Sequence, residues 1–133
     1  MLIYNITGGQ IRNDLGGRGY FHAHRSRKDG SFYEHKGIDI TCKVGQECWS
    51  PITGRIKRKI QAYSDTALYT GYEIANDDLC LKILYVNISE ALIGKKFIQG
   101  DILGFAQNIN KRYPKCLPHV HIEVEWINPL LLM

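Results

Sequence analysis

The stretch Pro118-His119-Val120-His121-Ile122-Glu123-Val124-Glu125 alternates polar and apolar side chains from His119 onward. That is the pattern of a half-buried β-strand. Residues i and i+2 of a strand share a face and stand about 6.6 Å apart. Val120, Ile122 and Val124 are therefore expected in a core, with His119, His121, Glu123 and Glu125 toward a groove or solvent. Working outward, apolar strand-like runs are read at about 38–42, 46–50, 53–60, 67–75, 79–86, 101–106 and 119–126. Turn signals at Lys43–Gly45, Pro51–Gly54, Asn76–Asp78, Gly94 and Gly100-Asp101 separate them. Short strands with close turns predict an antiparallel all-β domain with minor helix, the helical content confined to turns around 88–93 and 108–113. The glycine-punctuated segment 1–34 is expected as an extended lead-in lying over a single domain of residues 1–133.

A second cluster stands far upstream, in His35-Lys36-Gly37-Ile38-Asp39. Gly37 breaks the pattern before Ile38-Asp39-Ile40-Thr41 begins another alternating run. His35 is thus expected from a loop and Asp39 from the start of a strand, on the face opposite Ile38 and Ile40. The two clusters hold three of the chain's five histidines and one carboxylate. Catalytic zinc takes three protein ligands and keeps a fourth position for water, so this set leaves one side chain spare for proton chemistry. His119 and His121 can bind one metal together, or one can bind while the other reaches a metal-bound water. Two histidines two apart in a strand also occur simply as surface residues.

Composition narrows the partners. Hydrophobic content of 44% and charged content of 23% suit a soluble globular chain. No run approaches the roughly 20 apolar residues of a membrane helix, so membrane insertion is not expected. Met1–Thr7 carries no secretory signal pattern. The expectation is a chain cytoplasmic as made, reaching any site of action outside the cytoplasm by non-standard delivery. The net charge of +4 gathers in Arg25-Ser26-Arg27-Lys28, Arg55-Ile56-Lys57-Arg58-Lys59 and Lys111-Arg112. It suits an anionic polymer, or a merely solvated face. No nucleic-acid-binding motif accompanies it, so nucleic acid is not an expected partner. Cys42, Cys48, Cys80 and Cys116 form no Cys-x-x-Cys pair. Reduced thiols are expected, the alternative being a Cys42–Cys48 bridge across a hairpin in an oxidising compartment.

The ordered blocks carry a resemblance. His35-Lys-Gly-Ile-Asp-Ile-Thr, Val44-Gly45, Ser50-Pro51-Ile-Thr-Gly54, Gly100-Asp-Ile-Leu-Gly104, Pro118-His-Val-His-Ile-Glu-Val and Asn128-Pro129 are together similar to the M23 family of zinc metallopeptidases, the lysostaphin-like peptidoglycan endopeptidases. Arg12–Arg25 looks most like the LECT2-like branch, whose vertebrate member is regarded as a non-enzymatic signalling protein. Cys42 and Cys80 fall at cysteine positions of that branch, but Thr7 and Val124 stand near where their partners would be, so its disulfide scheme does not carry over.

The resemblance implies the duplicated-hybrid-motif type of fold with an active-site groove. It implies His35, Asp39 and His121 as zinc ligands, His119 as the proton-handling residue, and peptidoglycan or its stem and bridge peptides as partner. The implied reaction is hydrolysis of peptide cross-links by a metal-bound hydroxide. Active members carry a second non-ligand histidine in a Tyr-x-His segment. Here Asn87 stands in its place, within Leu84-Tyr85-Val86-Asn87. An amide donates a hydrogen bond but does not shuttle protons near pH 7. A non-catalytic zinc-containing binding or signalling module is thus the alternative function. Tyr85 is a candidate donor to the reaction intermediate or a packing residue. His22 and His24 are either exposed or positioned so that one leans over the zinc, and Arg25 either meets a substrate carboxylate or is solvated.

Overall fold

The computed structural model describes residues 3–27 and 29–133. Lys28 of the first basic run, and Met1 and Leu2, lie outside the described residues. In chain order the strands are β1 (Asn13–Asp14), β2 (Gly17–Arg18), β3 (His24–Ser26), β4 (Phe32–Glu34), β5 (Ile38–Thr41), β6 (Glu47–Trp49), β7 (Gly54–Tyr63), β8 (Thr66–Ala75), β9 (Leu79–Leu84), β10 (Val86–Asn87), β11 (Lys96–Phe97), β12 (Ile102–Ala106) and β13 (His119–Ile127). An antiparallel six-stranded sheet runs in the order β11-β7-β8-β9-β13-β5, and a three-stranded sheet in the order β10-β12-β6. The expected helical turns are 3-10 turns at Glu90–Leu92 and Ile109–Lys111. A third, at Pro129–Leu132, is capped by the Asn128 side chain and was not foreseen in the sequence pattern.

The core lies between the two sheets. Alternation puts Ile56, Ile74, Leu81, Ile83, Val120 and Ile122 on one face of the larger sheet, and Cys48, Val86, Leu103 and Ala106 meet them from the smaller one. Each such aliphatic side chain contributes about 1.5–3 kcal/mol relative to exposure. Val124 departs from expectation and is 54% exposed. β5 begins at Ile38, opposite Ile122, so Val124 has a strand neighbour on one side only, Leu81 of β9. Cys42 lies just past the end of β5 in the larger sheet and Cys48 in β6 of the smaller one, so the two do not face each other across a hairpin, and all four thiols are free.

The lead-in is more ordered than an extended strap. It folds β1–β2 and β3–β4 as two small antiparallel pairs and sends Ile6 fully into the core. Strands of two or three residues are too short to display a period, which is why the sequence pattern hides them. Backbone bonds from Arg12 N to Asp39 O (2.8 Å), Asp39 N to Gly19 O (2.9 Å) and Thr41 N to Gln10 O (2.8 Å) cover the outer edge of β5. That edge would otherwise present unpaired groups.

One corner positions the next layer. β9 ends at Leu84 and β10 begins at Val86 in the other sheet; between them Tyr85 adopts φ +70°. A bulky residue at positive φ is uncommon and costs of order 1–3 kcal/mol. It is held there by its N–H to Thr70 O and by Gln107 N–H to its carbonyl, both 2.8 Å.

Candidate metal centre

Asp39 and His121 are direct cross-strand partners of β5 and β13, so their side chains leave the sheet on the same face. His35 arrives from the β4–β5 connection. That connection passes against β13 so closely that a Cβ on Gly37 would stand 2.1 Å from the Ile122 carbonyl oxygen. Only glycine fits there, and the close passage carries His35 over the Asp39–His121 pair.

The three side chains converge. His121 Nδ1 lies 2.8 Å from Asp39 Oδ1, His35 Nε2 lies 3.0 Å from His121 Nδ1, and His35 Nε2 lies 3.3 Å from Asp39 Oδ1. All three residues are buried. The outward ring nitrogens are occupied: His35 Nδ1 is 2.9 Å from the Tyr20 carbonyl, and His121 Nε2 is 2.9 Å from Glu123 Oε1. Each imidazole can donate outward and turn its lone pair inward, the arrangement by which outer partners orient metal-binding histidines. A tetrahedral zinc with bonds of about 2.0–2.2 Å sets its ligand atoms about 3.3–3.6 Å apart. The observed triangle is of that size once each edge opens by about half an ångström or less. Two nitrogens and one carboxylate oxygen also match the donor set of a zinc site that keeps a fourth position open.

Electrostatics follow from the contacts. Burial pushes the Asp39 carboxyl up, but hydrogen bonds from His121 and His35 overcome it and hold the group far below the usual carboxylate range. Burial pulls the His121 imidazolium down, while hydrogen bonds to Asp39 and Glu123 more than offset this and raise it. His119 behaves in the opposite way. Burial dominates over the attraction of Asp39, so its pKa falls and the ring favours the neutral form. Its Nδ1 is 2.8 Å from the Leu117 carbonyl, and its Nε2 faces Asp39 Oδ2 at 3.8 Å. Tyr85 packs edge-on against the His119 ring, with centroids 5.5 Å apart.

The residues read from the sequence divide. His35, Asp39, His119, His121 and Tyr85 share one cleft of about 470 Å³, whose rim includes His24 and Arg25. Arg25 Nη2 stands 3.7 Å from Asp39 Oδ2. His24 is exposed and packs on Phe32, while His22 lies outside the cleft beside Glu34 at 3.5 Å. Asn87 is exposed on β10, opposite Phe105, and is not part of the cleft lining.

Three residues escaped the sequence reading as members of the site. Glu123 was readable, since it shares the His121 face by strand alternation. Arg12 and Asp14 were not, because they sit in a glycine-rich segment without period. Arg12 is 3% exposed and donates from Nε and Nη2 to Asp39 Oδ2, both at 3.1 Å. The cleft walls add Tyr33 from β4 on one side, and Tyr63 and Tyr113 on the other. Arg112 stacks over Tyr63 at 3.7 Å.

No protein-family model matches the chain. The chain is 30% identical over 108 residues to leukocyte cell-derived chemotaxin-2 of Bos taurus, an alignment covering 80% of this chain and 67% of that protein. It is 26% identical over 111 residues to myeloid protein 1 of Gallus gallus, covering 83% of this chain and 33% of the relative. It thus spans about a third of the avian relative and two thirds of the bovine one. Among solved structures, it superposes on a zinc-containing peptidase from Vibrio cholerae with a TM-score of 0.63 at 16% identity, covering 93% of this chain and 36% of that one. The catalytic domain of lysostaphin from Staphylococcus simulans gives 0.56 at 15% identity, covering 86% and 89%. A chain of the SpoIIIAH–SpoIIQ complex gives 0.64 at 15% identity and covers both chains fully. At these identities the likeness to solved structures is one of fold.

Proposed function

The chain belongs to the LECT2-like branch of the M23-like proteins, alongside leukocyte cell-derived chemotaxin-2, and from the geometry of its cleft we propose that it is a zinc-dependent endopeptidase acting on the peptide cross-links of peptidoglycan. The observation that carries this reading is the inward convergence of His35 Nε2, Asp39 Oδ1 and His121 Nδ1 beside the buried ring of His119. His35, Asp39 and His121 would hold the ion. When bound, zinc supplies Lewis-acid polarisation of the scissile carbonyl and brings the pKa of a coordinated water toward 7.

The chain's own groups do the rest. The Leu117 carbonyl occupies His119 Nδ1 and so leaves Nε2 to accept a proton from the attacking water and return it to the departing amine. Burial of His119 favours the neutral ring that this role requires. Arg25 and Lys36 at the rim give a peptide bearing free carboxylates favourable contacts. The fold is shared with an antimicrobial peptidase, lysostaphin, and action in the periplasm, the wall or outside the cell is part of the proposal. Among the described residues no helix is long and apolar enough to cross a membrane.

The test is release of new amino groups from purified sacculi. His119→Ala is expected to lower the rate about 10²–10⁴-fold while zinc content stays at the parent level. Release at the parent rate in the variant would remove His119 from the mechanism.

A specific observation favours a second reading, a zinc-containing binding module. Asn87 lies exposed outside the cleft, so it contributes nothing to proton transfer. Stoichiometric zinc without turnover on any peptidoglycan between about pH 6 and 8 would select that reading.

A further inference from the structure

Asp39 presents its two oxygens to different neighbours. Oδ1 faces the imidazoles of His121 and His35, at 2.8 and 3.3 Å. Oδ2 receives two N–H groups of one guanidinium, Arg12 Nε and Nη2, each at 3.1 Å. We propose that Arg12 is a positioning residue for the metal centre: it holds Asp39 Oδ2 so that Oδ1 alone is offered to the ion. This inference rests on the metal reading above and adds to it what sets the binding mode of the carboxylate.

Arg12 is itself fixed. Its Nη1 donates to Asp14 Oδ1 (2.8 Å), to the Gly17 carbonyl (3.1 Å) and to Cys116 Sγ (3.3 Å). Asp14 is fixed in turn, Oδ1 accepting from Gly16 N (2.8 Å) and Oδ2 from Leu117 N (2.6 Å). Leu117 is the residue whose carbonyl orients His119. One buried cation therefore links, through Asp39 on one side and Asp14 and Leu117 on the other, both parts of the site. A carboxylate with both oxygens free can swing between one-oxygen and two-oxygen coordination. Pinning Oδ2 keeps the coordination number low and a position open. Stability alone does not account for such a network, because a buried ion cluster adds little over apolar packing of similar volume. A guanidinium also supplies what an ammonium lacks, two parallel donors in a rigid plane.

The experiment compares the full chain with Arg12→Gln and Arg12→Lys, measuring zinc affinity by chelator competition and the visible absorption of the cobalt(II) form. Fold is monitored by circular dichroism. Arg12→Gln is expected to bind zinc about 10–100-fold more weakly, with weaker cobalt absorption as Asp39 moves to two-oxygen binding. Arg12→Lys is expected to fall between the two, keeping charge and losing the fork. Folded variants with zinc affinity within about twofold of the parent and an unchanged cobalt spectrum overturn the proposal. If Arg12→Gln does not fold, Arg12→Lys decides on the same two readouts. A parent that takes up zinc without cleaving peptidoglycan fails the peptidase reading and leaves this one standing on its affinities. A parent that takes up no zinc overturns both.

Discussion

Glu123 shows how much one side chain can do from outside the metal triangle. It accepts from His121 Nε2 at 2.9 Å, and that hydrogen bond holds its own carboxyl below the usual range. Losing such an outer partner costs metal affinity about 10–100-fold. Glu123→Ala is therefore expected to weaken zinc binding by that order, and Glu123→Gln, which keeps an acceptor, by less. Chelator competition measures both, and equal affinities for Ala and parent would show that the ring is oriented by other contacts. The residues that converge were those whose chemistry and spacing were legible: two histidines at i and i+2, and His35 and Asp39 either side of a glycine. What stayed hidden were partners defined by three-dimensional proximity, above all Arg12, which nothing in its neighbouring residues marks. The Asn87 position was legible as a departure from a pattern. Its exposure was not, because it depends on the backbone turn at Tyr85.

At the scale of elements, that turn joins the two sheets and shapes one end of the cleft. The β7–β8 hairpin extends beyond the part of β8 that pairs with β9, which begins at Gly71. Its tip residue Tyr63 reaches Tyr85, the two hydroxyls 2.6 Å apart and the rings stacked at 6.0 Å. Burial pushes both phenols well above their ordinary pKa, so both remain neutral donors and acceptors at physiological pH. Tyr85→Phe removes one partner of a part-buried hydrogen bond, and a stability loss of about 1 kcal/mol is expected. A urea midpoint unchanged from the parent would mean that ring packing alone ties the hairpin to the corner. The long strands were legible because period-two alternation runs over four or more residues. The small pairs β1–β2 and β3–β4, and β11 with its two residues, fall below the length at which a period can be read.

At the scale of the whole molecule, the two sheets share an interior that contains thiols but no covalent tie among its cysteines. Burial raises Cys42 to about 11 and Cys48 to about 12. A thiol in the unfolded chain ionises near about 8.5. Between that pH and the folded values, the unfolded chain therefore holds fewer protons than the native one, and stability declines as pH rises. Denaturant midpoints should thus fall progressively above about pH 8.5, and iodoacetamide should label native Cys42 and Cys48 slowly at pH 8. Rapid native labelling of both would contradict the burial of Cys48 between the sheets and the packing of Cys42 against the core. The antiparallel all-β class was readable from the chain because hydrophobic alternation and turn chemistry agree along most of it. The pairing order of the strands was not, since it depends on contacts between segments far apart. The distance between those segments has an entropic consequence. Asp39 and His121 are separated by 82 positions, and an ion gripping both would close that span into a ring. Loop-closure arithmetic for a cross-link of this length gives about 4–5 kcal/mol taken from the freedom of the unfolded chain. In a chain whose four cysteines are all reduced, the metal would then serve as its long-range staple, whether or not it ever meets a substrate.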